Sequence, residues 1–159
     1  MADNFTANPG SGGSAFASDD VGGVHYPRIK RSFGRDGTAA DAGSVHRLVS
    51  AASTNATNVK ASPGVASPGV VYAIVAINLN AAVRYLKLYN KATAPTVGTD
   101  TPVATIPIPA STTGAGVVIP IPSGWDFSSG ISEALTTGAG DADTGAVAAN
   151  EIFVHLVYV

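Results

Sequence analysis

Three histidines, His25, His46 and His155, are the side chains best suited to acid–base or metal chemistry near neutral pH. No His-x-His or His-x-x-x-His spacing joins any two of them, so no segment offers a local pair of metal ligands. His25 lies beside a proline, His46 falls near the start of a strand-like run, and His155 shares a face with Phe153 and Val157. All three read as strand or interface residues. A serine nucleophile on an elbow wants Gly-x-Ser-x-Gly, which Gly10-Ser-Gly-Gly-Ser14 does not supply, and the phosphate-cradling Gly-x-x-x-x-Gly-Lys-Ser/Thr pattern is absent. Asp141-Ala-Asp143-Thr-Gly145 begins like a calcium loop, in which alternate carboxylates converge on the ion. The loop then wants a carboxylate or amide, a glycine and a glutamate where the chain has Gly145, Ala146 and Ile152, with Glu151 one place early. It reads as a polar turn. Glu133, Glu151, Asp126 and Asp141 show no spacing that selects a hydrolytic pair. The sequence therefore predicts no catalytic residue, no metal site, no cofactor and no enzyme.

Trp125-Asp-Phe127 follows Pro122-Ser-Gly124 and is the one aromatic cluster on a turn. Such a cluster can stack on a sugar ring, but a lone tryptophan in a small sandwich more commonly caps one end of the core, and we expect that here. Trp125 and Phe127 remain the candidates for an inter-subunit or glycan contact. Asn4-Phe-Thr6 and Asn55-Ala-Thr57 match the glycosylation acceptor pattern, which carries no meaning without a secretory signal.

The elements that must position these groups are strands. In residues 82–90, Arg84, Leu86 and Leu88 point one way and Val83, Tyr85, Lys87 and Tyr89 the other, the period of two of a pleated strand. Residues 70–77 form a nearly continuous apolar run, as in a strand covered on both faces. The linker Asn78-Leu79-Asn80-Ala81 is short enough for a hairpin, so these two strands are expected to pair antiparallel at the centre of the core. Residues 103–109 and 117–122 each contain Ile-Pro-Ile-Pro, whose prolines withhold ladder donors and mark edge strands. Residues 45–50, 131–136 and 151–159 read as further strands, the last long and apolar. The tandem Ser-Pro-Gly-Val at 62–65 and 67–70 is turn chemistry. No long amphipathic helix is evident. The expected fold is all-β, a β-sandwich or jelly-roll-like domain of seven or eight strands over residues 45–159.

Residues 1–44 have a different composition, rich in glycine and serine, and are expected to form an extended arm that takes its shape against a partner. Val24-His25-Tyr26-Pro27-Arg28-Ile29-Lys30-Arg31 could add an edge strand to a neighbouring sheet, with Phe5 and Phe16 as further apolar contacts.

A chain of 159 residues is sized for one domain with an extension, and it has no cysteine for disulfides or thiolate metal sites. Nine basic residues against 11 acidic give a net charge of −2, the wrong balance for a nucleic-acid partner. Charged residues make up only 13% of the chain, against about a quarter in an ordinary soluble domain, so assembly is expected to cover much of the surface. No apolar stretch is long enough to span a bilayer, and the N-terminus lacks a signal-peptide pattern, which predicts synthesis in the cytoplasm and no membrane partner.

The arm Phe16-Ala-Ser-Asp-Asp-Val-Gly-Gly-Val-His-Tyr-Pro-Arg-Ile-Lys30 resembles the opening of many virion proteins of tailed bacteriophages. Ser50-Ala-Ala-Ser-Thr-Asn-Ala-Thr-Asn-Val-Lys60, Arg84-Tyr-Leu-Lys-Leu-Tyr-Asn-Lys91 and Ala134-Leu-Thr-Thr-Gly-Ala-Gly-Asp-Ala-Asp143 are similar to a module recurring in the same proteins. The resemblance implies a non-enzymatic β-domain on the phage particle and supplies no catalytic residues. With the arm, it leads us to expect a capsid decoration (cement) protein on the virion surface, assembled in the bacterial cytoplasm. Its partners are expected to be the major capsid protein and further copies of itself, as a homotrimer. The arm's Arg28, Lys30 and Arg31 would meet acidic capsid surface. A neck, tail or fibre-anchoring protein, and a carbohydrate-binding module, are the alternatives.

Overall fold

The computed structural model describes residues 44–60 and 67–159, together with the backbone of three N-terminal strands, β1 (Asn4–Thr6), β2 (Ala15–Val21) and β3 (Val24–Pro27). These three belong to a separate compact unit, 1–32, in which β2 pairs antiparallel with both β1 and β3. The expected Pro-Gly turn at Pro63-Gly64 lies outside the described residues, and the second Ser-Pro-Gly leads into a strand at Gly69.

The larger unit, 33–159, is all-β, with eight strands in two antiparallel four-stranded sheets and no helix among its described residues. One sheet has the order β5 (Thr57–Asn58), β10 (Ile131–Thr136), β7 (Arg84–Asn90), β8 (Ala104–Ile108). The other runs β4 (Ser44–Val49), β11 (Ile152–Tyr158), β6 (Gly69–Asn78), β9 (Ala115–Phe127). Their inner faces supply a single core that includes Leu86, Leu88, Ile106, Ile108 and Leu135 from the first sheet and Ile74, Ile121, Phe127, Val154 and Leu156 from the second. Both strands that carry Ile-Pro-Ile-Pro are sheet edges, β8 in one sheet and β9 in the other, because a residue without an N–H cannot serve a central ladder.

The expected hairpin between residues 70–77 and 82–90 does not form. β6 pairs with β11 and β9, β7 with β10 and β8, so the short linker carries the chain from one sheet to the other. Side chains at the crossover explain why. Asn78 Nδ2 donates to the carbonyls of Ala82 and Ile108, while its Oδ1 accepts from the Asn80 N–H. Asn80 Nδ2 and Arg84 Nε both donate to the Glu151 carboxylate, at 2.6 and 2.7 Å. Burial alone would raise the Glu151 carboxyl, but the Arg84 bond, a backbone N–H at Ala148 and the Asn80 amide outweigh it and hold it below the usual range. Residues 70–77 are accordingly covered on one face only.

The two sheets differ in what lies outside them. On β7, Lys87 and Tyr89 point away from the core, yet both are buried, as are Ser132, Ala134 and Thr136 beside them on β10. Two loops cover this face. Ser132 Oγ donates to the carbonyls of Lys91 and Thr93 in the 91–103 loop, and Thr136 Oγ1 donates to that of Gly138 in the 137–151 loop.

Candidate functional site

No described loop covers the outer face of the β4-β11-β6-β9 sheet. Alternation along four paired strands places one side chain in two on it, and the register sets these in three rows. The first row runs Val49, Phe153, Ile77, Gly116; the second Arg47, His155, Val75, Val118; the third Val45, Val157, Ala73, Pro120. A sheet facing water normally places polar side chains here, whereas these rows are apolar except for Arg47 and His155. Val118 is 69% exposed and Val45 62%. The Arg47 guanidinium lies 6.0 Å from the centre of the Phe153 ring, within reach of a cation–π contact.

A second feature opens between the edge strands β8 and β9. Asn90, Val103 and Ala104 line one wall and Gly124, Trp125, Asp126 and Phe127 the other, around an open cleft of about 340 Å³. Gly124 adopts φ +71°, and a Cβ there would fall 2.3 Å from Val70 Cγ1, so only glycine fits this bend of β9. Trp125 stands opposite Val71 in the ladder, on the side that looks toward the core, but 38% of it remains exposed. The expectation that it closes one end of the core is corrected: Phe127, 1% exposed, does so, and Trp125 forms the wall of the cleft. Its neighbour Asn90 is fully engaged, accepting from the N–H groups of Ser129 and Gly130 and donating to Ser128 Oγ.

Two polar constellations lie inside the fold. Lys87 reaches into the loop that resembles a calcium site and donates through Nζ to the carbonyls of Gly140 and Asp143. Asp143 turns its carboxylate to the N–H groups of Gly138 and Gly145 instead of outward. The ammonium thus satisfies loop carbonyls of the kind that a cation would otherwise collect. Tyr89, its neighbour on the same face, is held above its ordinary pKa by burial and then by the charges of Asp100 and Asp141. On the core side, His46 of β4 donates from Nε2 to Glu133 Oε1 of β10 at 2.7 Å, while Glu133 Oε2 is buried without a partner. The hydrogen bond to Glu133 raises the His46 pKa, burial lowers it, and the carboxylate charge raises it again, leaving it above the ordinary value. Neither constellation brings a nucleophile to a base, and among the described residues no three His, Asp or Glu side chains gather to hold a metal.

Of the other residues singled out from the sequence, Phe5 and Phe16 pair across β1 and β2, while Val24, His25, Tyr26 and Pro27 make up β3. Arg28, Ile29, Lys30 and Arg31 lie outside the described residues. His155 stands on the open face with Phe153 and Val157, as its alternation predicts. The open face was missed because its valines, on four strands far apart in sequence, come together only through the register. No family model, curated protein or solved structure matches the chain.

Proposed function

We propose that this chain is a non-enzymatic structural protein of a tailed-bacteriophage virion, acting as a capsid decoration protein. The observation that carries the reading is the one-sidedness of the sandwich: one sheet is sealed by the protein's own loops, while the outer face of the other carries three mostly apolar rows that no described loop covers. The low charge density supports it, since little of the surface is built for solvation. The resemblance of the N-terminal segment and of three internal stretches to phage virion proteins supplies the particle. In this reading the arm, with Phe5, Phe16 and the 24–31 segment, grips the major capsid protein, and copies of the sandwich meet as a trimer. The test is deletion of residues 1–31 followed by binding to undecorated capsids. The truncated chain is expected to lose occupancy, and undiminished occupancy would remove the anchoring role. Imaging virions that carry a labelled copy distinguishes the capsid from the neck or tail.

The cleft beside Trp125 favours a second reading, a module that binds a sugar against the indole ring. A glycan array with Trp125→Ala as control tests it: a hit lost in the variant supports the module, and an empty array removes it.

A further inference from the structure

Resting on the reading of the chain as an assembly module, we infer that the open sheet face docks on a protein surface that is apolar and carries a carboxylate where it meets Arg47 and His155, on the β4 side of the face. Across the three rows, Arg47 and His155 are the only basic or acidic side chains, and they stand opposite one another in the ladder. Among the described residues neither meets a carboxylate, and the Arg47 guanidinium lies over the Phe153 ring. An interface that covers this face takes the guanidinium out of water, which is costly unless an anion meets it there. The fitting partner therefore brings its own carboxylate.

Size and charge both argue against a second copy as the occupant. The rows cover about 20 by 20 Å, or roughly 400 Å², near half of what each side of a stable dimer of standard size contributes. A second copy would also bring no acid to Arg47 and His155, since none of the three rows contains one. Growth through the β8 and β9 edges is hindered by Pro107, Pro120 and Pro122. The partner is thus a larger body that adds contact elsewhere, and this face fixes the orientation of the sandwich on it.

The test uses the full chain and two synthetic β-hairpins that share one valine face and differ only at one position of it, glutamate in one and lysine in the other. Titration followed by amide chemical shifts is expected to perturb Val45, Arg47 and Val118, with the glutamate hairpin bound at least about tenfold more tightly. Arg47→Glu should reverse that order. Equal binding, binding of neither, or shifts confined to another surface would overturn the inference. So would a stable dimer in sedimentation that Val118→Asp dissolves. The virion role and the docking face fail separately. Selective hairpin binding by a chain that is missing from virions sinks the virion reading alone, whereas full capsid occupancy by Val118→Asp sinks the docking face alone.

Discussion

His46 and Glu133 are 87 residues apart in sequence and belong to different sheets, and their 2.7 Å hydrogen bond ties the two layers together from inside the sandwich. β4 is an edge strand, paired on one side only, so this bond is its polar fastening to the opposite layer. The cost of keeping a carboxylate oxygen unpartnered at Glu133 is met only while the other oxygen holds a charged donor.

That arrangement fixes a pH dependence. The folded pKa of His46 lies above the unfolded value, near 6.5, so its contribution to stability is fully present below pH 6.5 and is lost as pH rises through the folded value. Urea unfolding from pH 6 to 9 is expected to show this decline, and His46→Gln should flatten it. His46→Ala, which strands the buried carboxylate, should cost about 3 kcal/mol at pH 6. An unchanged slope in His46→Gln would assign the dependence to another group.

Lys87 answers the calcium-like loop with a cation of its own. Thermal unfolding is expected to be the same with calcium and with a chelator, because the ammonium already serves the loop carbonyls. Lys87→Met keeps the chain length but removes the donors. It should lower stability by about 2–3 kcal/mol and speed amide exchange across residues 138–146. A calcium-dependent rise in melting temperature in the native protein would overturn this account.

Trp125 and Phe127 are two residues apart and should behave in opposite ways. Phe127→Ala empties part of the core and is expected to cost about 3–5 kcal/mol. Trp125→Ala should cost less, about 2 kcal/mol, since over a third of the residue is already in water. Chemical denaturation measures both, and acrylamide should quench the native indole emission efficiently. A shielded indole would return Trp125 to the core.

Pro120 and Pro122 keep the outer side of β9 from serving as a ladder. Pro120→Thr with Pro122→Thr should leave the fold intact, by far-ultraviolet circular dichroism, and increase self-association at about 100 µM in light scattering. Unchanged scattering would show that the prolines are not what guards this edge.

Most strands were legible in the sequence, because alternation and proline placement are local signals. Residues 131–136 and the two Ile-Pro-Ile-Pro runs announce their type, and the latter their position in the sheet. Pairing was not legible. Asn78-Leu79-Asn80-Ala81 suits a hairpin as well as a crossover, and the choice is made by Glu151, some 70 residues away. Lys87 reads as solvated in any pattern, since the carbonyls that bury it lie on a loop more than 50 residues further on. The signal that could have found it is its place in Tyr-Leu-Lys-Leu-Tyr, between two tyrosines on one face of a strand. The open face escaped for the same reason: its valines are ordinary strand residues until the register gathers them.

The proline-bearing margins of both sheets have a bearing on crowding. In the proposed decoration role the protein would sit close to its own copies, where any bare backbone rail invites sideways templating into fibrils. On the flank formed by β8 and β9 that rail is interrupted in both layers, so neighbours can be tightly spaced there without one copy recruiting the next.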